Sequence, residues 1–154
     1  MSKTFFVTSV TTGRRAILQS ERMAGLLIDV LQQNRNNRRF LLHEFVVMPN
    51  HFHLLITPSQ DVSITKAVQY VKGGFSFRAR RALDFKSEIW QEGFTSHAVN
   101  DASDYDQHRN YIRQNPVARF LVEQPELFPY SSAYPSAITD PRPPLLSPSA
   151  LRHG

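Results

Sequence analysis

The sequence predicts an α+β chain with a ferredoxin-like, split βαβ core: an antiparallel sheet with two helices, followed by a further C-terminal helix. Three observations carry this. Hydrophobic periodicity changes along the chain in the order strand, helix, strand, strand, helix, strand. Ser20 and Ser63 stand just ahead of the two helical stretches, where N-caps belong. The 154 residues, 41% of them hydrophobic, suffice for one core and a tail. The expected division is a domain over residues 1–122 and a proline-rich tail over 123–154, partly docked.

Thr4–Thr11 is rich in β-branched and aromatic residues and ends near Gly13, so it reads as a strand. Behind Ser20, Met23, Leu26, Leu27, Val30 and Leu31 recur at helical spacing. Phe40–Met48 and Phe52–Thr57 are the second and third strands, joined at the turn formers Pro49 and Asn50. Behind Ser63, Ile64, Ala67, Val68 and Val71 form an apolar helix face, which Gly73 and Gly74 are expected to weaken at Lys72. Glu88–Val99 suits a fourth strand with a bulge at Gly93. A last helix is expected from Ser103, with Asp106 completing an acidic capping box, and a break or kink at Pro116. The tail docks through Phe128, Tyr130 and Tyr134 and is expected to be loose at its end.

The chain holds 18 Lys plus Arg against 13 Asp plus Glu, and arginine dominates the cations. A basic, arginine-rich surface favours a polyanionic partner, because guanidinium forks match phosphate geometry. There is no cysteine, which excludes disulfides and thiolate metal sites. No apolar run reaches the length of a membrane span, and the first residues lack a secretory signal, so a cytoplasmic protein is expected.

Side chains alternate along a strand, so His51, His53 and Leu55 share one face and Phe52, Leu54 and Ile56 the other. Two imidazoles two residues apart on a strand lie within reach of one divalent ion. The plainer alternative is a pair of polar residues on a solvated sheet. Tyr111 and Asn115, four residues apart, share a helix face if helical geometry persists to Asn115. Laid over the strand, that face brings a phenol and an amide oxygen beside the imidazoles. Such a set suits attack by the tyrosine oxygen on a metal-polarised phosphodiester. The plainer alternative for Tyr111 is a half-buried aromatic on an amphipathic helix.

Three blocks carry a resemblance: Met48-Pro-Asn-His-Phe-His53 followed by Leu-Leu-Ile, then Trp90-Gln-Glu-Gly-Phe94, then Tyr111-Ile-Arg-Gln-Asn-Pro-Val117. With Pro129-Tyr-Ser-Ser-Ala133 after them, they resemble the signature blocks of the IS200-like, single-tyrosine HUH transposases. The likeness is nearest to the REP-associated tyrosine transposase branch and covers roughly Thr4 to Tyr134. It implies a ferredoxin-like fold whose C-terminal helix is the catalytic one. His51 and His53 become metal ligands, Asn115 a third ligand, and Tyr111 the nucleophile. It further implies Mg²⁺ or Mn²⁺ as cofactor, single-stranded DNA beside a hairpin as substrate, a 5′-phosphotyrosine, a monomer or homodimer, and association with the nucleoid when DNA is bound.

Supporting residues are read from position. Lys72, Arg78, Arg80 and Arg81 are candidate phosphate contacts. Glu44 is placed to orient a histidine from behind and His97 to assist at the site; Gln91 is a candidate base contact. Trp90 and Phe94 read as core. Two other functions stay open: a non-catalytic nucleic-acid module on the topology used by RNA-recognition domains, and a metal-dependent hydrolase that activates water.

Overall fold

Strand β1 (Thr4–Val10) is followed by helix α1 (Glu21–Asn36), β2 (Phe40–Met48), β3 (His51–Pro58), α2 (Ile64–Ala82), β4 (Thr95–Val99) and α3 (Ala102–Ala118) in the computed structural model, which describes residues 2–148. The sheet order is β2-β3-β1-β4, each neighbouring pair antiparallel, as the split βαβ reading requires. Ser20 and Ser63 cap α1 and α2, accepting hydrogen bonds from the Met23 and Lys66 amides.

The alternation along β3 decides the layering. Phe52, Leu54 and Ile56 face α1 and α2 in the main core with Val7, Leu27, Phe45, Val71 and Phe75. Leu55 faces the other way, into a smaller core with Val46, Met48, Tyr105 and Ile112, which α3 covers. His51 and His53 therefore lie under α3, on the face that α1 and α2 leave free.

A bulge in β2 shifts the register between Leu42 and Glu44. Leu42 and Phe45 both join the α1/α2 core, so the two residues between them, His43 and Glu44, both turn toward α3. His43 is buried beside Tyr105 and bonds Thr57 at 2.8 Å; the lost hydration pushes its pKa below the usual imidazole range.

Four local expectations are corrected. α2 runs unbroken through Gly73 and Gly74 to Ala82. A Cβ on Gly74 would meet Val30 Cγ1 at 3.3 Å, so this glycine serves the close approach of α2 to α1. β4 is only Thr95–Val99; residues 88–94 instead form a loop that follows the end of β1 through Ile89 and Gln91, and Gly93 (φ +82°) lies in that loop. α3 is capped by Asp101, whose carboxylate accepts from the Asp104 amide, and not by Ser103. α3 also continues through Pro116 to Ala118, where a missing proline N–H removes just one bond close to the helix end.

Beyond α3, residues 130–140 follow the outer edge of β2. The Val47 amide donates to Tyr130 O at 2.8 Å, the Ser132 amide to Phe45 O at 2.9 Å, and the Asp140 amide to Leu42 O at 2.7 Å. Asp140 also takes a two-pronged hydrogen bond from Arg35 and one from the Leu42 amide. The expected looseness of the last residues lies, from 149 on, outside the described residues. Among the described residues no helix is long and apolar enough to cross a membrane.

Candidate active site

His51 and His53 are 6% and 4% exposed, with ring centroids 4.8 Å apart. His53 Nδ1 pairs with Thr8 Oγ1 on β1 at 2.7 Å, directly across the β1–β3 register. His51 Nδ1 pairs with Asn50 Oδ1 at 2.7 Å. An amide oxygen only accepts, so Nδ1 of His51 carries the proton and Nε2 presents its lone pair. Burial holds both rings neutral: the pKa of His51 is lowered to about 4 and that of His53 to about 3. Arg119 adds to both shifts and Arg14 to that of His51, while the Asn115 side chain opposes the fall at His51.

Helix α3 supplies the rest. Ile112 and Tyr105 anchor it in the smaller core, and because the helix stays regular past Tyr111, Asn115 falls one turn further along the same face. The Tyr111 ring meets His53 edge-on at 5.2 Å and Phe6 at 5.9 Å, yet Tyr111 remains 51% exposed. Asn115 is buried at 4% exposure. His53 Nε2 and Asn115 Oδ1 are fully buried and have no hydrogen-bond partner among the described residues. Unpaired buried polar atoms cost about 1–3 kcal/mol each, so two on one site need a reason. A cation bound by ring nitrogen and amide oxygen supplies one, and the residues present fit a divalent ion.

Residues 4–115 match the family model described as IS200-like transposase. The chain belongs to that family. It is 31% identical over 130 residues to the REP-associated tyrosine transposase of Escherichia coli K12, spanning 84% of this chain and 75% of the relative. A solved structure of a REP-associated tyrosine transposase bound to a REP hairpin superposes with TM-score 0.71 at 27% identity, over 96% of this chain and 90% of the other. These likenesses place this transposase on the REP-associated branch.

The other candidates fall elsewhere on the transposase. Glu44 does not contact the site histidines, whose Nδ1 atoms are held by Thr8 and Asn50. It accepts instead from Arg113 Nε at 2.9 Å and Ser132 Oγ at 2.7 Å, with Arg109 at 3.7 Å, and so ties α3 to β2. The β2 bulge turned it toward the helix. His97 lies beyond the Phe6 ring, paired with Asp104 at 2.8 Å. Lys72 donates to the carbonyls of Gln91 (3.1 Å) and Gly93 (2.7 Å), so its ammonium braces the 88–94 loop. Gln91 is exposed on that loop, and Trp90 packs edge-on to Phe52 and Phe75 while donating to Lys72 O. Arg78, Arg80 and Arg81 sit on α2, which packs on the opposite sheet face.

Sequence reasoning missed the two arginines whose charge reaches the histidines. Arg14 sits in the tight turn after β1 at φ +55°, and Arg119 is the C-cap of α3. The Asn50 side chain bridges two of these groups, donating to Arg14 O and accepting from His51. The cue available in the sequence was proximity to motif residues: Arg119 stands four residues after Asn115.

Proposed function

We propose that the chain cuts and rejoins single-stranded DNA beside REP-like hairpins through a 5′-phosphotyrosine on Tyr111, with a divalent ion held by His51, His53 and Asn115. The observation that carries this reading is the pair of unpartnered buried atoms, His53 Nε2 and Asn115 Oδ1, next to an exposed tyrosine. Similarity to a transposase bound to a REP hairpin supports hairpin DNA as the partner.

Mg²⁺ or Mn²⁺, when bound, would polarise the scissile phosphodiester. Burial keeps both imidazoles neutral, hence able to serve as ligands, well below neutral pH. The Tyr111 oxygen attacks phosphorus and its proton passes to solvent. The bond from phosphorus to the 3′ oxygen breaks, and that oxygen takes up a proton to leave a free 3′-hydroxyl. Phosphate stays joined to Tyr111 and to the 5′ end of the downstream strand. Rejoining reverses these steps: a 3′-hydroxyl attacks phosphorus, loses its proton, and the phenol is restored. Since one ester replaces another, no nucleotide cofactor is needed.

Exposure suits Tyr111 to this role, because the hydroxyl must reach a large polymer. A cleft of about 420 Å³ lined by Thr8, Val10, Arg14, Gln91, Glu92 and Phe94 adjoins His53 through Thr8 and has room for a nucleotide of the substrate strand, with Arg14 as its cation and Glu92 as its one carboxylate. Arg14 and Arg119 supply positive charge for its phosphates. Arg78, Arg80 and Arg81 would meet backbone phosphate well away from the cut.

The test is a denaturing gel with labelled hairpin-flanking oligonucleotides and Mn²⁺. A labelled species at the mass of protein plus DNA, lost in Tyr111→Phe and with chelator, is expected. Cleavage that survives Tyr111→Phe would transfer the attack to water. Binding without cleavage on hairpins from the source genome would reduce the chain to a binding module.

A further inference from the structure

Going beyond the tyrosine site, we propose that His97, Asp104 and His108 form a second divalent-metal site, selective for a borderline transition ion such as Zn²⁺, which pins the first turns of α3 to β4. The three side chains come from two elements, and one ligand atom from each lies within 4.8 Å of the others. Asp104 and His108 are four apart on the helix and thus share a face. One carboxylate oxygen of Asp104 meets His97 Nε2 at 2.8 Å, the other His108 Nδ1 at 3.1 Å. Tetrahedral sites with bonds of about 2.0–2.1 Å place neighbouring ligand atoms roughly 3.3 Å apart, so an ion needs only small side-chain rotations, with His108 Nδ1 exchanging its 2.9 Å bond to the Asp104 carbonyl for the metal.

The ligands are held from behind. The Asp104 amide is capped by Asp101 at 2.7 Å, and the His108 ring lies between Phe6 (4.5 Å) and His97 (4.9 Å). Two imidazoles and one carboxylate match the donor preference of Zn²⁺ and its neighbours; Mg²⁺ and Ca²⁺ prefer all-oxygen shells. Three protein ligands leave a fourth position for water or a phosphate oxygen. His97 and Asp104 have side chains 54% and 23% exposed, so an ion can enter from solvent. Phe6 separates the two sites, its ring 5.2 Å from His53 on one side and 4.5 Å from His108 on the other. His108 precedes Tyr111 by three residues, so an ion there fixes the helix face that presents the tyrosine.

Equilibrium dialysis of the full chain against Zn²⁺, with bound metal quantified, tests this in wild type, His97→Ala, Asp104→Asn and the double variant His51→Ala/His53→Ala. Wild type should bind two equivalents, and each of the three variants one. In the double variant, Zn²⁺ should raise Tm, and adding His97→Ala should abolish that rise and weaken binding more than tenfold. Wild type binding one equivalent that survives His97→Ala and Asp104→Asn overturns the second site. One equivalent lost in those variants but kept in the double variant supports it and removes metal from the tyrosine site instead. Asp104→Asn preserves the side chain's shape, so a loss there is not ascribable to misfolding, which circular dichroism checks for all variants.

Discussion

Arg113 and Glu44 join the helix that carries Tyr111 to the sheet that carries the histidines, through two hydrogen bonds of 2.9 and 3.3 Å. The carboxylate is 5% exposed, and Ser132 completes its coordination from the tail. Three segments far apart in sequence thus meet on one buried charge. Removing one partner strands the other, and that penalty exceeds the net worth of the intact pair. Glu44→Gln is expected to lower unfolding free energy by about 2 kcal/mol and to slow strand cleavage more than it weakens DNA binding. Urea denaturation and a paired cleavage and gel-shift assay would check it; unchanged stability would mean that α3 is held by its apolar face alone.

The lowered histidine pKa values set a pH dependence whose sign follows from linkage. In the unfolded chain His51 and His53 gain protons near pH 6.5, whereas in the folded state they gain them only near about 4 and about 3. Between those limits the unfolded state binds more protons, so stability is full above pH 6.5 and falls as pH drops through the window. At pH 5 each ring contributes a loss of order 2 kcal/mol. Urea midpoints in chelator should fall from pH 7 to pH 5, and His53→Gln should flatten the decline. A midpoint independent of pH across this range would show that the rings are hydrated in solution.

Arg119 adds positive charge beside both histidines while its own side chain is exposed. Arg119→Gln is expected to weaken single-strand binding and to reduce the slope of log affinity against log salt by about 0.7, the increment for one phosphate. Folding stability should change by less than about 0.5 kcal/mol. A salt slope equal to that of wild type would remove Arg119 from the DNA path.

Asp140 is expected to decide whether the tail stays on β2. Its carboxylate takes both Arg35 and the Leu42 amide, with the side chain 13% exposed. Asp140→Ala should cost about 1–3 kcal/mol and accelerate amide exchange at Leu42 and Val47. Exchange confined to residues after 140 would show that Tyr130 and Ser132 hold the tail unaided.

Much of this architecture was readable from residues alone. The alternation of β3 assigned the histidine face correctly, since neighbouring side chains on a strand have no choice of side. Ser20 and Ser63 marked two helix starts because their hydroxyls meet amides that nothing else satisfies. The failures share a cause, which is that tertiary packing overrides local preference. Gly74 reads as a weak point until Val30 is seen against it. Pro116 reads as a break, yet near a helix end the lost bond is cheap. The side on which Glu44 emerges depends on a bulge that no periodicity announces. The cluster from Arg78 to Arg81 stands out as a basic patch, but only the layering reveals that α2 carries it on the sheet face away from Tyr111.

The tail's position on β2 also bears on how the chain is born. Its pairing partners are separated by some 83 to 98 residues, as in Val47 with Tyr130 and Leu42 with Asp140. While synthesis proceeds, β2 therefore waits as a bare sheet border, with nine mostly apolar residues and a row of unpaired amides. Nascent chains on neighbouring ribosomes could add to that border before residues 130–140 emerge. The segment that looks like an appendage is thus what closes the β2 border, and it is the last of the sheet's partners to be made.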